Sequence, residues 1–518
     1  MELMKKIFST FLFVLFTFLI LVLGLRGLPG NPTGEEINQN TWKDDGPFEL
    51  SPERGRYALT MSMVENKTFH FSLPIARFTT PDLGYKNGNY VSLFAPAVSF
   101  IVAPGYIIGK YFGLSQVGAF SIILLFAIIN ALLIRAIAKL LGANPLASSI
   151  AALVFLFASP SFAYAVTLYQ HHVTTFLILF SVWILLKWKN FLSFALVWFL
   201  CAISIPVDYP NLFFMLPIGI YAFARLFDLE KTGKVLRLKF RPLILLSLIT
   251  VLVPLVFFLW FNKESYGSPL QFSGTVASVK AIDEQGKPTV PGSAGQDRAE
   301  QFINPDLQKK SSILFFSTRE LPSLLYSHLF SPDRGILFYT PIMFIGIIGV
   351  FMFYKKNGKM TSLLLAIVGF NIFLYAMFGR GGWAFGSRYL IPSYAIISIF
   401  TAMALTHFSK KFLFVLFFLL LSIYSVSVNT LGVVTTNRNP PKVEAVTLEK
   451  ISNRKEYYTF QRNWEFLNSN QSKSYVYRTF AKDYLTAPQY FYMVASLIIL
   501  IMSGQIILLY LQARKGKI

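Results

Sequence analysis

Acidic side chains are concentrated in one short stretch near the N-terminus of the chain. Four carboxylates fall within ten residues, at Asp44, Asp45, Glu49 and Glu53. The tripeptide Ser51-Pro52-Glu53 predicts the start of a helix, with Ser51 as the N-cap, Pro52 at the first position and Glu53 in the first turn. A carboxylate held in this way can take the proton from an attacking hydroxyl group. The alternative is that these acids only cap and solvate a surface helix.

Basic and aromatic residues follow Glu53 directly. Arg56 lies three residues further along the chain, and this spacing predicts that its guanidinium reaches Glu53 and keeps the carboxylate ionised. Tyr57 is next in the sequence. We expect both Arg56 and Tyr57 to contact a substrate.

More polar side chains lie at the ends of apolar runs. They are His171, His172, Asp208, Tyr209, Asp333, Arg334, Arg380, Arg388 and Tyr389. Charges at membrane depth are costly, so these groups are expected to face a shared cavity and bind a polar substrate. Arginine can hold a departing phosphate through paired N–H bonds, and we expect this of Arg388 with Arg334 or Arg380. The alternative for Arg388 is an ion pair with a structural carboxylate such as Asp333.

A metal site is not indicated by these residues. The adjacent histidines project about 100° apart on a helix, so that both binding one metal is awkward. The single cysteine, Cys201, lies in an apolar run and excludes an intramolecular disulfide or a cysteine-based metal site. No cofactor is therefore assigned, and a divalent cation is neither required nor excluded.

The composition identifies the elements that must position these residues. Hydrophobic residues make up 54% and charged residues 14% of the 518-residue chain, and the mean hydropathy is +0.54. A soluble protein is about one quarter charged. Apolar runs of about twenty residues, enough to span a bilayer, recur along the chain. We predict an all-α polytopic membrane protein with about 12 transmembrane helices (11–13) and an outer-face juxtamembrane helical layer.

Twelve apolar runs are the predicted spans. They are Ile7–Leu25, Val117–Leu133, Ala147–Leu168, Val173–Leu186, Phe191–Ile205, Asn211–Ala224, Leu243–Phe261, Gly335–Phe353, Ser362–Phe378, Ile391–Thr406, Phe412–Gly432 and Tyr490–Leu511. The run Val91–Phe112 is broken by prolines and glycines, and we predict a re-entrant or juxtamembrane helix there.

The distribution of basic residues orients these spans. With the assignment above, every short Lys/Arg cluster falls on one side, which the positive-inside rule makes cytoplasmic, together with both termini. Three long polar segments, Arg26–Tyr90, Asn262–Arg334 and Val433–Gln489, then lie outside. The net charge of +22 belongs to clusters between apolar runs, so nucleic acid is not expected as a partner.

An outer cavity with carboxylates, arginines and a lipid-facing entrance suits a substrate with an anionic head and an apolar tail. A polyprenyl-phosphate sugar has this form. The chain has no GxxxxGK[ST] phosphate loop, so nucleotide-dependent chemistry is not indicated. We expect the carboxylate to activate an acceptor hydroxyl and the arginines to receive the lipid phosphate.

Three stretches carry a resemblance to a known family. They are Ser51 to Thr60 (SPERGRYALT), Phe330 to Pro341 (FSPDRGILFYTP) and Trp383 to Pro392 (WAFGSRYLIP). Together with the N-terminal helix and the acidic first loop, they resemble the integral-membrane C-type glycosyltransferases, in particular protein O-mannosyltransferases and aminoarabinose transferases. The resemblance implies that Glu53, with Asp45 as the other candidate, is the catalytic base of an inverting sugar transfer on the extracytoplasmic face.

We expect the chain to be organised in two parts. Residues 1–432 are expected to form the transmembrane glycosyltransferase-like module, with outer loops 26–90 and 262–334, and residues 433–518 an outer segment plus the last transmembrane helix. The expected location is the cell inner (plasma) membrane. The expected partners are a polyprenyl-phosphate sugar donor, membrane lipids and a lipid, glycan or protein acceptor. Two alternatives are a lipid-linked glycan ligase or polymerase and a flippase or transporter of lipid-linked glycans.

Overall fold

Long apolar helices account for most of the computed structural model, which describes residues 2–43, 45–232, 235–240, 242–289, 316–378 and 382–516. In this part of the chain, seven helices are long and apolar enough to cross a membrane: Ile7–Gly24, Ser115–Leu140, Leu246–Tyr266, Gly358–Ala376, Arg388–Phe408, Phe412–Val434 and Ala487–Arg514. Five shorter apolar helices accompany them: Ala97–Tyr111, Pro145–Phe157, His171–Lys187, Phe191–Val207 and Asn211–Ala224. The predicted all-α polytopic membrane fold is confirmed.

The helices have the following bounds. In the N-terminal half they are α1 Glu2–Gly24, α2 Asn40–Lys43, α3 Ser51–Glu65, α4 Leu73–Thr79, α5 Ala97–Tyr111, α6 Ser115–Leu140, α7 Pro145–Phe157, α8 Ser161–Ala165, α9 His171–Lys187, α10 Phe191–Val207 and α11 Asn211–Ala224. After them come α12 Pro242–Leu245, α13 Leu252–Tyr266, α14 Leu321–Leu329, α15 Ile336–Tyr339, α16 Ile345–Lys356, α17 Gly358–Ala376, α18 Ile391–Phe408, α19 Phe412–Val434, α20 Lys442–Ser452, α21 Gln461–Asn468 and α22 Ala487–Arg514.

Two predicted spans are interrupted by proline. The run Ala147–Leu168 divides into α7 and α8 at Pro160, and Gly335–Phe353 divides into α15, a 3-10 helix at Pro341–Phe344 and α16. Proline has no backbone N–H and its ring clashes with the preceding turn, so a continuous α-helix ends there. The first break places α8 next to the start of α9, where the Nε2 atom of His172 lies 2.8 Å from the backbone oxygen of Ser161.

The run Val91–Phe112, predicted as re-entrant or juxtamembrane, contains α5. This helix turns back on α6 through residues 112–114, and the two helices touch at glycine. A Cβ atom added to Gly118 would lie 2.1 Å from the carbonyl oxygen of Gly105 and 2.8 Å from Cα of Gly109. Only glycine permits this backbone contact. The packing of α5 against α6 is thus fixed by the glycines, while its position relative to the membrane stays a prediction.

The three long polar segments meet at one end of the helix bundle. Arg26, after α1, forms an isolated β-bridge with Ser474. Tyr90 donates a hydrogen bond from its hydroxyl group to the backbone oxygen of Gly286 at 2.8 Å. One small antiparallel sheet joins two of these segments, since β1 Leu83–Lys86 pairs with β2 Asn89–Ser92 and with β5 Ala277–Val279. Two local antiparallel pairs, each within one loop, are β3 Phe227–Thr232 with β4 Val235–Phe240, between α11 and α12, and β6 Ala281–Ile282 with β7 Pro288–Thr289. The described parts of these polar segments therefore share one surface of the molecule.

Candidate active site

Helix α3 begins one residue earlier than the sequence predicts. Leu50 is the N-cap residue, and Ser51, predicted to be the cap, is already helical. The hydroxyl group of Ser51 instead donates a hydrogen bond to Asp82 in the neighbouring loop. Glu53 remains in the first turn and its Oε2 accepts the backbone N–H of Leu50 at 3.2 Å. The tertiary contact with Asp82 displaces the local capping interaction that Ser51 would otherwise make.

The Glu53 side chain is fully buried and has unused hydrogen-bonding capacity. Its Oε1 atom has no hydrogen-bond partner among the described residues. Burial is the largest influence on the pKa of Glu53 and raises it to about 7; the charge of Glu49 acts in the same direction, and the charges of Arg26 and Arg388 oppose it. A carboxylate with a pKa near neutrality is suited to general-base catalysis.

Glu49, four residues earlier, has the opposite electrostatic character. Its carboxylate forms ion pairs with Arg26 and Lys473 and accepts hydrogen bonds from the Thr436 hydroxyl group at 2.6 Å and the Asn437 backbone N–H at 2.8 Å. Burial alone would raise its pKa, but these charges and hydrogen bonds lower it to about 2. Glu49 is therefore a structural carboxylate that is ionised at neutral pH, and the sequence analysis did not assign it this role.

Arg388 supplies a buried guanidinium near Glu53. Its Nη2 atom donates to the Tyr389 hydroxyl oxygen at 3.2 Å, and its Cζ atom lies 5.2 Å from the ring centre of Tyr169 and 5.0 Å from that of Tyr389. The Nε and Nη1 atoms have no hydrogen-bond acceptor among the described residues. Buried arginine N–H groups normally have acceptors. Arg388 thus has two unused donor atoms directed into the interior.

The alternative role of Arg388, an ion pair with Asp333, is not seen in the structure. Asp333 contacts Arg334 at 3.4 Å instead. Burial raises the pKa of Asp333, and the charge of Arg334 and its hydrogen bond oppose this shift. Arg334 nevertheless lies close by in the fold, because its backbone oxygen accepts a 2.9 Å hydrogen bond from Ser387, the residue before Arg388. His328 makes a second contact with the Ser387 hydroxyl group, also at 2.9 Å.

Aromatic side chains enclose the Arg388 guanidinium. The His171 ring stacks on Tyr169 with centres 5.7 Å apart and meets Tyr389 edge-on at 5.5 Å. Tyr375 stacks on Tyr389 at 4.4 Å. The Nε2 atom of His171 and the hydroxyl oxygen of Tyr169 have no hydrogen-bond partner among the described residues. The cluster therefore presents polar atoms as well as ring faces.

Asp208 and Arg56 complete the cluster. The Asp208 carboxylate accepts hydrogen bonds from Gln170 at 2.9 Å and Tyr375 at 3.4 Å. Burial raises its pKa, and the charge of Arg56 is the largest influence opposing the shift. Arg56 does not pair with Glu53 as predicted: its Nη1 atom donates to the backbone oxygen of Pro52 at 2.9 Å. Among the charged groups, Asp208 has the largest effect on Arg56, so local i,i+3 spacing did not decide its partner.

Six predicted site residues are thus neighbours in one buried polar cluster. The electrostatic and ring contacts described above connect Glu53, Arg56, His171, Asp208, Arg388 and Tyr389. Sequence reasoning missed three contributors that belong to the same cluster, Tyr169, Gln170 and Tyr375. Tyr169 and Gln170 directly precede the histidine pair that the sequence did single out, and this adjacency was the available signal.

The hydrogen-bond partners of His172 and Tyr57 are residues outside this cluster. The Nε2 atom of His172 lies 2.8 Å from the backbone oxygen of Ser161, which is typical of a satisfied buried histidine. The Tyr57 hydroxyl group lies 2.8 Å from the Ser115 hydroxyl group at the start of α6. Both side chains therefore have hydrogen-bond partners within the fold.

The remaining predicted site residues lie elsewhere or outside the described residues. The Tyr209 hydroxyl group lies 2.7 Å from that of Ser273. Asp45 is exposed, and its backbone oxygen accepts a 2.7 Å hydrogen bond from Arg478. Arg380 lies outside the residues that the structure describes. Asp45 is consequently separated from the buried environment that perturbs Glu53.

A wide cleft lies beside the buried cluster. Its volume is about 1160 Å³. Glu49 lines it, together with basic and acidic residues of the segment after α19, and Phe466 and Tyr477 add aromatic surface. Seven lysine or arginine side chains and five carboxylates line the cleft: Arg438, Arg454, Lys455, Arg462, Lys473, Arg478, Lys482, Asp45, Glu49, Glu456, Glu465 and Asp483. The cleft is therefore polar and highly charged, with a small positive excess.

Among the described residues, no group of three or more His, Cys, Asp or Glu side chains could hold a metal ion.

No protein-family model and no curated protein matches the chain. Two solved structures resemble it. ArnT from Cupriavidus metallidurans in the apo state is 12% identical, covers 97% of this chain and 78% of its own, and has a TM-score of 0.47. ArnT from the same organism bound to undecaprenyl phosphate is 12% identical, with 96% and 77% coverage and a TM-score of 0.46.

Proposed function

We propose that this protein transfers a sugar from a polyprenyl-phosphate donor to an acceptor hydroxyl group, with inversion, at the end of the bundle where the polar segments meet. One observation carries the proposal. A buried carboxylate with a free oxygen, Glu53 Oε1, and a buried guanidinium with two free donor atoms, Arg388 Nε and Nη1, belong to the same enclosed cluster. Unsatisfied buried charges are costly and are retained where a ligand completes them.

In the proposed reaction, the acceptor oxygen attacks the anomeric carbon of the donor. The acceptor O–H bond breaks and its proton passes to Glu53, while a new bond joins the acceptor oxygen to the sugar. The bond between the sugar and the phosphate oxygen breaks, and polyprenyl phosphate leaves with the electron pair. Sugar transfer therefore needs a base on one side of the anomeric carbon and an anion-binding group on the other.

Arg388 is the proposed phosphate-binding residue. The leaving phosphate gains negative charge as its bond to the sugar breaks, and a guanidinium in a water-poor site stabilises this charge more strongly than it would in water. Contacts with Tyr389 and Tyr169 hold the guanidinium in place before substrate binds. The Arg388 guanidinium is thus held in position before the phosphate binds. Its Nε and Nη1 atoms have no acceptor among the described residues.

The aromatic and amide groups around Arg388 are the proposed sugar-binding surface. Tyr169 and His171 each offer an unpaired polar atom for a sugar hydroxyl group. Asp208, fixed by Gln170 and Tyr375, holds Arg56 at the cluster by charge. These contacts would orient the sugar ring, and such positioning contributes to the rate as well as to affinity.

The charged cleft beside Glu49 is the proposed approach for the acceptor. It adjoins the start of α3, the helix that carries Glu53, because Glu49 both lines the cleft and acts electrostatically on Glu53. Its charged and amide side chains suit a hydrophilic acceptor. Its volume, about 1160 Å³, exceeds the space that one sugar requires, which favours a glycan or glycolipid acceptor and keeps a lipid-linked glycan ligase as the second candidate function.

A donor panel tests the proposal. The purified full chain is incubated with a membrane lipid extract, which supplies acceptor hydroxyl groups, and with radiolabelled polyprenyl-phosphate monosaccharides or one polyprenyl-linked oligosaccharide. Release of the lipid phosphate is measured with the parent and with Glu53→Gln. We expect release from at least one monosaccharide donor, reduced in the variant. Release from the oligosaccharide donor alone would replace the transferase by the ligase. Movement of labelled lipid across a vesicle membrane without any bond cleavage would support the flippase and contradict the proposal.

A further inference from the structure

A second cavity lies at the opposite end of the helix bundle from the polar segments. Its volume is about 440 Å³, and it lies between the C-terminal ends of α16 and α18 and the turn after α6. At this end the backbone N–H of Asn144, after α6, donates a 2.9 Å hydrogen bond to Thr406 of α18. The cavity is thus bounded by three membrane helices at their ends, at the level where helices meet lipid headgroups.

The polar lining of this cavity carries positive charge without a carboxylate. Lys356 and Lys410 contribute two ammonium groups, and His407 lies beside them. Among the described residues, neither lysine forms an ion pair with an acidic side chain, since the ion pairs in this part of the chain involve other residues. Within the described part of the chain, the cavity is therefore a cationic site without a paired carboxylate.

The Lys356 ammonium group is seated over the backbone of the turn after α6. Gly142 has a φ of +96°, and a Cβ atom at this position would lie 2.5 Å from Nζ of Lys356. A residue with a side chain would be strained there and would displace the ammonium group. The glycine thus leaves room for Lys356 at the edge of the cavity.

The other wall of the cavity is apolar. Met352 and Phe353 of α16 and Met403 of α18 line it, and Phe353 and Met403 are buried between the helices. A site with cations at the helix ends and apolar side chains toward the bundle fits a molecule with an anionic head and a hydrocarbon tail. Basic pockets between membrane helices bind the headgroups of anionic lipids in this way.

We infer that this cavity binds the headgroup of an anionic membrane phospholipid, with the phosphate between Lys356 and Lys410 and the first acyl carbons against Met352 and Met403. The site is separate from the cluster around Glu53 and does not depend on the proposed sugar transfer. Its lysine-rich end is the predicted cytoplasmic end, where the membrane surface is negatively charged. The lipid would join α6, α16 and α18 at their ends.

Neighbouring lysines provide a matched control for the test. Lys355 and Lys411 are exposed, lie next to the cavity lysines in the sequence and do not line the cavity. The variant Lys356→Gln/Lys410→Gln and the control Lys355→Gln/Lys411→Gln remove the same charge at the same membrane level. Full-length proteins in mild detergent are titrated with phosphatidylglycerol, phosphatidylcholine or inorganic phosphate, and the number of bound lipids and Tm are measured.

We expect phosphatidylglycerol to bind and to raise Tm of the parent and of the control pair, with affinity reduced about tenfold or more in the cavity pair, since each lysine near a lipid headgroup contributes about 1 kcal/mol. Phosphatidylcholine and inorganic phosphate should have little effect. Equal loss in both lysine pairs would show diffuse attraction and overturn the site. Stabilisation by inorganic phosphate as large as that by the lipid would reassign the site to a free anion and overturn the lipid proposal.

Discussion

The guanidinium of Arg26 and the carboxylate of Glu49 form an ion pair that is almost completely enclosed by the protein. Arg26 follows the first membrane helix, and Glu49 immediately precedes the helix that carries Glu53. The pair therefore fixes the start of α3 against the end of α1. A Thr435 backbone oxygen accepts a further hydrogen bond from Arg26 at 3.1 Å, so the loop after α19 is joined to the same point.

Glu49→Gln should destabilise the protein. The substitution leaves the charges of Arg26 and Lys473 buried without their carboxylate, and breaking a buried pair in this way costs about 3–5 kcal/mol. Thermal unfolding in detergent measures the effect, with Glu465→Gln, which removes an exposed carboxylate from the same cleft, as the control. Equal Tm values for the two variants would contradict the structural role of Glu49.

The Arg26–Glu49 ion pair also predicts how the free energy of unfolding depends on pH. The folded-state pKa of Glu49 is about 2, below the usual value of 4.5. Its contribution is therefore present above pH 4.5 and lost as the pH falls through about 2. The parent should lose more stability than Glu49→Gln over this window, so the difference between their Tm values should narrow as the solution becomes acidic.

Glu53→Gln should preserve the fold and abolish most of the activity. Glutamine keeps the shape of the side chain but cannot accept the proton, and general-base catalysis contributes roughly 10²–10⁴-fold to such reactions. Single-turnover release of lipid phosphate measures the loss, and donor binding measured separately should change little. Activity within a factor of a few of the parent would make Glu53 a helix-stabilising residue and move the test to Asp45→Asn.

The pH profile of the parent should show the perturbed carboxylate. Burial raises the pKa of Glu53 to about 7 in the free protein, and Glu53 must be ionised to act as a base, so kcat/KM should rise as the pH passes through this value. Stability should change in the opposite direction. The folded-state pKa lies above 4.5, so the contribution of Glu53 is present below pH 4.5 and is lost, by up to about 3 kcal/mol, as the pH rises through about 7. In Glu53→Gln, neither the activity nor the free energy of unfolding should show this dependence on pH.

The sequence predicted those parts of the site that are determined by a single residue and its neighbours in the chain. Ser-Pro-Glu correctly placed Glu53 in a first helical turn, and the cost of charge at membrane depth drew attention to Arg388 and Asp208. The partners of these groups were not predictable in the same way. Arg56 is three residues from Glu53, yet the tertiary arrangement gives it Asp208 as a charge partner.

The role of Glu49 also required the structure. Its partners lie 23 residues before it and more than 380 residues after it in the chain, and no local pattern specifies such contacts. Ser51 illustrates the same limitation, because a distant carboxylate, Asp82, binds the hydroxyl group that capping rules assign to the helix. The apolar runs predicted where the membrane helices lie. Pro160 and Pro341 determine where two of the predicted spans are broken.

Cysteine labelling tests the orientation of the bundle. In a Cys201→Ser background, cysteines at exposed Asn89 and Lys482, which belong to the polar segments, should react with an impermeant thiol reagent on intact cells. A cysteine at exposed Lys359, in the first turn of α17, should react only after the membrane is permeabilised. Labelling of position 359 together with protection of positions 89 and 482 would invert the predicted topology.

Arg388→Lys should separate the proposed phosphate-binding role from simple charge. Lysine retains the positive charge but loses the planar fork that can bind two phosphate oxygens. Its ammonium group would also lose the stacking on Tyr169 and Tyr389 that holds the guanidinium. Loss of one such preorganised donor costs roughly 10²–10³ in kcat, and we expect a decrease of this order in lipid-phosphate release. Because the contact strengthens as the leaving phosphate gains charge, the donor KM should change much less than kcat.

Arg225→Lys is the matched control, since Arg225 also donates to a tyrosine hydroxyl oxygen, that of Tyr221 at 2.9 Å, and lies outside both the buried cluster and the charged cleft. Its turnover should remain within a few-fold of the parent. If Arg388→Lys raises KM and leaves kcat unchanged, Arg388 binds the donor in its ground state and does not stabilise the leaving group. If both variants match the parent in kcat and KM, the guanidinium of Arg388 is structural, and the unpaired donors at Nε and Nη1 have no part in the reaction.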